Sequence, residues 1–269
     1  MFRPFRLPGW ARRVLVATTE FVYPPACRLC DRELPGSAGS APTTAEDPGG
    51  TIPSRDAVFC EECARGLATD RTTACRQCGA SIGPGLDPAL PCAFCHNENY
   101  AFERVVRLGV YDGALRTACL KIKQAGAEPL AAALAELTWQ LETEAFQKDR
   151  IDVVIPVPQY SLQRLLRPHH AAETLAEVWS RRLQVDLAPH ILRKIRWTRP
   201  QARLNPTERR SNLRHAFRAK PNSLVGASVL LADDVMTTGT TAHEAARQLR
   251  QAGAERIVVA VIARGLGRR

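Results

Sequence analysis

The chain has 269 residues, 45% of them hydrophobic and 24% charged, with a net charge of +10. These values are those of a soluble globular protein large enough for one big domain or two ordinary ones. They exclude a membrane-spanning helix, since no apolar run reaches the roughly 18 residues one needs. The charge is unevenly placed: residues 161–220 hold 14 basic and 4 acidic side chains, whereas residues 1–98 hold 10 basic and 11 acidic. A basic window suits a polyanionic ligand, either a phosphorylated metabolite or a nucleic acid, with a solvated basic face as the alternative.

Residues 1–26 read as a lead-in with a short helix. Their apolar patch is interrupted by Glu20 and lacks a small-residue cleavage site before Cys27, so no signal peptide is expected and the location follows as cytoplasmic. Eight of the nine cysteines then fall in four C-x-x-C pairs: Cys27/Cys30, Cys60/Cys63, Cys75/Cys78 and Cys92/Cys95. Two cysteines spaced in this way turn their sulfurs onto one tetrahedral metal, and two pairs complete a closed site. Four pairs therefore predict two structural Zn2+ sites over residues 27–98. The pairs are expected to combine in sequence, with a nested or crossed arrangement as the alternative. The long gap between the first two pairs holds a low-complexity polar stretch, about 35–55, that reads as a disordered insertion. Cys119 reads as a core residue and His96 as a bystander.

From about Tyr100 the pattern changes to alternating strands and helices. Strands are expected at 103–112, 151–158, 186–195, 227–235 and 256–264, and helices at 113–126, 127–146, 170–184 and 240–254. The segment 196–210 is basic, broken by Pro200 and Pro206, and reads as mobile. This order predicts an α/β domain over residues 99–269, a parallel sheet with helices on both faces. Ligands on such sheets bind beyond the carboxyl ends of the strands.

One such end carries VLLADDVMTTGTTAHE, Val229 to Glu244. Gly239 lets the backbone turn tightly with its N–H groups exposed. Thr237, Thr238, Thr240 and Thr241 add hydroxyls, and the following helix adds its positive end. Together they form a phosphate cradle without a lysine. Asp233 and Asp234 suit vicinal hydroxyls or a magnesium shell. A ribose 5-phosphate would use both elements; the bland alternative is an acid pair capping the next helix.

VLLADDVMTTGTT resembles the 5-phosphoribosyl-1-pyrophosphate (PRPP) signature of type I phosphoribosyltransferases. With FVYPPACRLC (21–30), YDGALRTACLKIKQAG (111–126), VVIPVP (153–158), the run 196–217 and AGAERIVVAVIAR (252–264), nearly the whole chain resembles the ComF/GntX family. The resemblance implies a double zinc ribbon ahead of a type I phosphoribosyltransferase-like domain that uses PRPP with Mg2+. Asp233 and Asp234 would hold the ribose hydroxyls, and Thr237, Thr238, Gly239, Thr240 and Thr241 the 5-phosphate. Arg164 and Arg167 would flank the pyrophosphate loop after Val157, and Arg196 would act from a lid running from Lys194 to Arg209. Either Lys121 or Lys123 stands where the family has a lysine.

One departure stands out. Where the family reads RGFNQ, this chain has Arg167-Pro168-His169-His170-Ala171. Proline fixes φ and removes an N–H where glycine gave freedom. Two readings follow. One is a transferase moving the phosphoribosyl group to an unidentified nitrogen acceptor. The other is a non-catalytic protein of the competence machinery that binds PRPP or single-stranded DNA. The family link implies DNA uptake, with single-stranded DNA or a competence helicase and DNA-processing proteins as partners. Trp179, Trp197 and Phe217 are the aromatics available to stack on bases.

Overall fold

A computed structural model of the protein describes residues 26–34, 58–68, 72–160, 170–199 and 206–266. The lead-in before residue 26, the insertion at 35–55, Arg164 and Arg167 lie outside the described residues. The chain divides into two compact units, Met1–Arg65 and Gly66–Arg269. The second four-cysteine group thus shares a unit with the sheet.

In chain order the elements are α1 (Glu61–Leu67), β1 (Arg104–Val110), α2 (Gly113–Lys121), α3 (Glu128–Gln147), β2 (Val153–Pro156), α4 (Ala171–Leu183), β3 (Asp186–Leu187), β4 (Leu192–Lys194), α5 (Pro206–Leu213), β5 (Phe217–Ala219), β6 (Ser228–Met236), α6 (Thr240–Gln251) and β7 (Arg256–Arg264). Five strands form one parallel sheet in the order β1-β7-β6-β2-β3. The apolar strands of the sequence are the buried ones, as two covered faces require. Val105, Ile155, Val229, Leu231, Ile257 and Val259 face one core with Ala245 and Leu249 of α6, Leu213, Phe217 and three cysteines of the second group. The alternate residues meet α3 and α4, which pack on each other. Trp179 lies wholly buried there, its ring against Phe146 and its Nε1–H donating to the Ala135 carbonyl at 3.1 Å.

Three local expectations change. The run 186–195 is not one strand. Its first two residues pair with β2, and after a turn at Pro189 residues 192–194 pair antiparallel with β5. The basic segment ends in a helix from Pro206, where a proline is tolerated because the first helical N–H needs no partner. Trp179 supports α3 and α4 and so is closed to base stacking. No helix among the described residues is long and apolar enough to cross a membrane.

Candidate functional site

Strand β6 runs in register with β2 on one side and β7 on the other, and this fixes where its end emerges. Val229 to Ala232 are buried, whereas Asp233 and Asp234 are half-buried at the edge of a cavity of about 520 Å3. The cavity is walled by the segment after β2 (Val157, Pro158, Gln159), by His170 at the start of α4, and by Lys194, Phe217 and Lys123. It lies beyond the carboxyl ends of β2 and β6, where a parallel sheet places its ligands.

Each carboxylate is fixed by a backbone donor. The amide of Asp234 donates to Asp233 Oδ1 at 2.9 Å, and that of Val235 to Asp234 Oδ1 at 2.8 Å. Lys123 Nζ lies 2.8 Å from Asp234 Oδ2, and Lys123, not Lys121, lines the cavity. Burial alone would raise the Asp234 carboxyl, but the Lys123 ammonium holds it below the usual carboxylate range. Asp233 goes the other way: burial first, then the Asp234 charge, push it well above that range. The adjacent acids are therefore electrostatically unlike: Lys123 favours the ionised form of Asp234, whereas burial and its neighbour's charge disfavour that of Asp233.

The loop after β6 forms a second hollow of about 30 Å3, lined by Thr237, Thr238, Gly239, Thr240, Thr241 and Asp233. Gly239 occupies the N-cap position of α6 with φ +77, a left-handed conformation that favours glycine. A Cβ there would stand 2.8 Å from Met236 Cε and 2.9 Å from Tyr100 Cε1. Among the described residues no side-chain hydrogen bond caps α6, and an uncapped helix N-terminus suits an anion. The Thr238 and Thr240 hydroxyls lie 2.8 Å apart.

Two polar groups of the large cavity escaped the sequence reading. In sequence Lys194 stands within the expected strand 186–195 and at the start of the lid, with no place in the cavity. In β4, Leu192 is buried, Arg193 exposed and Lys194 half-buried, so the strand's alternation turns Lys194 inward. Burial lowers its ammonium, offset in part by Asp233. Gln159 Oε1 is buried without a hydrogen-bond partner among the described residues. Arg196, by contrast, does not line the cavity. It is exposed and donates to the carbonyls of Asn212 and Arg214, both at 2.8 Å. His170 lines the cavity, with its Nδ1 3.9 Å from Glu173 Oε1.

The cysteines gather as two sequential groups, Cys27/Cys30/Cys60/Cys63 and Cys75/Cys78/Cys92/Cys95, with the sulfurs of each within 4.8 Å of one another. His96 and Cys119 stand outside both, and Cys119 is wholly buried. Each group opens on its own hairpin, and the two hairpins share one hydrogen-bonding pattern. Asp31 and Gly79 donate to the Cys27 and Cys75 carbonyls at 2.9 and 2.8 Å, each from a left-handed conformation, and the bridges Ala26–Glu33 and Ala74–Ser81 close the turns. Sulfur–sulfur distances are 3.7 Å for Cys30–Cys60, 3.7 Å for Cys75–Cys95, 3.5 Å for Cys78–Cys92 and 3.8 Å for Cys92–Cys95. A tetrahedron of sulfurs at roughly 2.3 Å from a central ion has edges of roughly 3.8 Å, and a disulfide would need about 2.05 Å. Each group thus fits a zinc ion. Burial pushes the Cys27 thiol up, but backbone N–H groups of Cys60, Cys30 and Leu29 outweigh it and bring it down to about 6.

The known phosphoribosyl transferase domain matches residues 125–269. Over 211 residues the chain is 29% identical to the DNA utilization protein YhgH of Salmonella typhimurium (strain LT2), across 77% of this chain and 91% of that protein. Over 195 residues it is 28% identical to competence protein F of Haemophilus influenzae (strain Rd), across 71% of this chain and 84% of that protein. Among solved structures, glutamine PRPP amidotransferase from B. subtilis aligns with 51% of this chain and 28% of its own, at 20% identity and a TM-score of 0.32. The domain match spans more than half of the sequence and follows two four-cysteine groups, so the chain belongs to the phosphoribosyl transferase domain family, as a ComF-type member.

Proposed function

We propose that the chain binds PRPP with Mg2+ and transfers its phosphoribosyl group to a nitrogen acceptor. The observation that carries this reading is that Asp233 lines both the 520 Å3 cavity and the small threonine-walled hollow. One ligand with a diol and a phosphate can therefore engage both. Asp233 and Asp234 accept from the ribose hydroxyls, and the loop from Thr237 to Thr241 holds the 5-phosphate with backbone amides and hydroxyls. The ring's C1 then faces the segment after β2 and Lys194.

The acceptor nitrogen attacks C1 as the C1–O bond to pyrophosphate breaks, and the electron pair leaves with pyrophosphate. Catalysis is mainly positioning and electrostatics: carboxylates beside a ring that develops positive charge, and Lys194 facing the departing anion. An all-oxygen donor pair of this kind fits Mg2+ rather than zinc; bound with the diphosphate, that ion would neutralise the leaving group. Zn2+ in the two four-cysteine groups is structural.

Titration calorimetry tests the reading. PRPP with Mg2+ binds the native chain, and the Asp233→Ala/Asp234→Ala variant does not; no binding at millimolar PRPP rejects it. Pyrophosphate release with candidate nitrogen bases then identifies the acceptor.

A second reading is binding of PRPP or single-stranded DNA without turnover. The relatives' names, DNA utilization protein and competence protein F, support a link to DNA uptake. Trp197, 53% exposed beside the basic Arg193, Lys194 and Arg196, is the one surface aromatic among the three weighed for stacking. Affinity for single strands that falls steeply with salt and survives the Asp changes supports this reading, and undetectable binding removes it.

A further inference from the structure

The phosphate loop is held from behind by residues that the proposed chemistry does not use. Arg264, at the end of β7, is buried to 3% exposure. Its Nε donates to the Cys78 carbonyl at 2.7 Å, and its Nη1 reaches the carbonyls of Met236, Thr237 and Gly265. Tyr100, five residues past Cys95, donates its hydroxyl to the Thr238 carbonyl at 3.1 Å. Its ring stacks on Phe102, with centroids 4.7 Å apart, and closes the space over Gly239.

Three consecutive carbonyls, those of Met236, Thr237 and Thr238, are thus bound from one side. In a trans peptide the carbonyl and the next N–H point in opposite directions. Holding these carbonyls therefore turns the amides of Thr237, Thr238 and Gly239 the other way, as an anion cradle requires. A buried guanidinium also needs a counter-charge. No carboxylate among the described residues pairs with Arg264; its partners are neutral carbonyls, one of them belonging to Cys78. Four thiolates around one divalent zinc carry a formal −2. The group at Cys75, Cys78, Cys92 and Cys95 can supply that charge directly behind the loop.

We propose that Arg264 and Tyr100 are positioning residues that set the amides of the phosphate loop, and that the second four-cysteine group holds them in place, so that affinity for a phosphate follows metal occupancy of that group. The proposal rests on the loop being the phosphate site. It assigns the second group a part in ligand binding beyond stabilising its own ribbon.

Hydrogen exchange at residues 237–241 of the ligand-free, full-length chain is the primary readout, because it does not depend on what the ligand is. PRPP affinity is the second. Arg264→Gln is expected to keep both zinc ions, speed exchange at 237–241 and weaken PRPP binding by about tenfold. Stripping zinc from the native chain with a chelator should produce the same two changes. Stripping it from Arg264→Gln should add little, because the link is already cut. Arg264→Lys keeps the charge but not the forked donors, and falls between. Should Arg264→Gln fail to fold, Tyr100→Phe, which removes one hydroxyl, carries the test through faster exchange at Gly239. Exchange at 237–241 that stays unchanged in the metal-free native chain overturns the proposal, as does full additivity of the two losses. If native protein binds no PRPP, the ligand reading fails, and exchange still decides the coupling.

Discussion

Lys123 Nζ and Asp234 Oδ2 stand 2.8 Å apart, and this contact makes two neighbouring acids unlike. Asp234 is held ionised, whereas Asp233 beside it faces both burial and the Asp234 charge. Removing the lysine should therefore act on the pair and not only on charge near the ligand. Lys123→Ala is expected to raise the Asp234 carboxyl toward that of Asp233 and weaken PRPP binding by about tenfold. Calorimetry against pH reads both effects.

Asp233 gives a proton signature. It is raised above the ordinary carboxylate range and must ionise to accept from ribose hydroxyls or a cation. Binding should then release a proton, and affinity should rise with pH until Asp233 is ionised in the free protein. Titrations in buffers of different ionisation enthalpy measure the release; Asp233→Asn should abolish it.

Gly239→Ala adds a Cβ at φ +77 against Met236 and Tyr100. The strain should cost about 1–3 kcal/mol and distort the loop. Denaturant unfolding measures the first effect, and loss of PRPP binding the second.

Asp149 tests the fold away from the site. It accepts from Arg104 at 2.7 Å and Arg256 at 2.8 Å, tying the end of α3 to β1 and β7. Burial would raise its carboxyl, but the two guanidinium groups hold it low. The ionised form is therefore favoured in the folded chain. Its contribution to stability is present above the unfolded value of about 4 and is lost as pH falls through the lowered folded value. Asp149→Asn should cost about 2–3 kcal/mol at neutral pH and flatten the acid limb of stability against pH.

Metal analysis should return two zinc ions per chain, one for each four-cysteine group. Chelation should lower the melting temperature, since the short hairpins around the cysteines have little apolar core of their own.

Much of this was legible because the determinants are contiguous. The C-x-x-C spacing places two sulfurs on one hairpin, and the sequential pairing follows once the insertion is set aside. Val229–Asp234 declares a buried strand ending in acids, and TTGTT a tight turn into a helix. Lys194 was legible in principle through the alternation Leu192-Arg193-Lys194 within the expected strand 186–195, but alternation does not tell which face meets the cavity. Trp179 was misread because sequence gives an aromatic its apolar character without its depth.

The sequence by itself determined the four-cysteine groups, the order of the sheet's strands along the chain, and the acid pair and threonine loop at the end of β6, each read from short motifs of neighbouring residues. Only the tertiary structure decided that Lys123 rather than Lys121 meets Asp234, since α2 ends at Lys121 and the turn past its end carries Lys123 to the carboxylate. It also decided that burial and Lys123 push the two carboxyls in opposite directions, and that Arg264 and Tyr100 bind the carbonyls behind the loop. Charge and hydrogen bonding depend on distance through space, and Tyr100 reaches Thr238 across 138 positions of sequence.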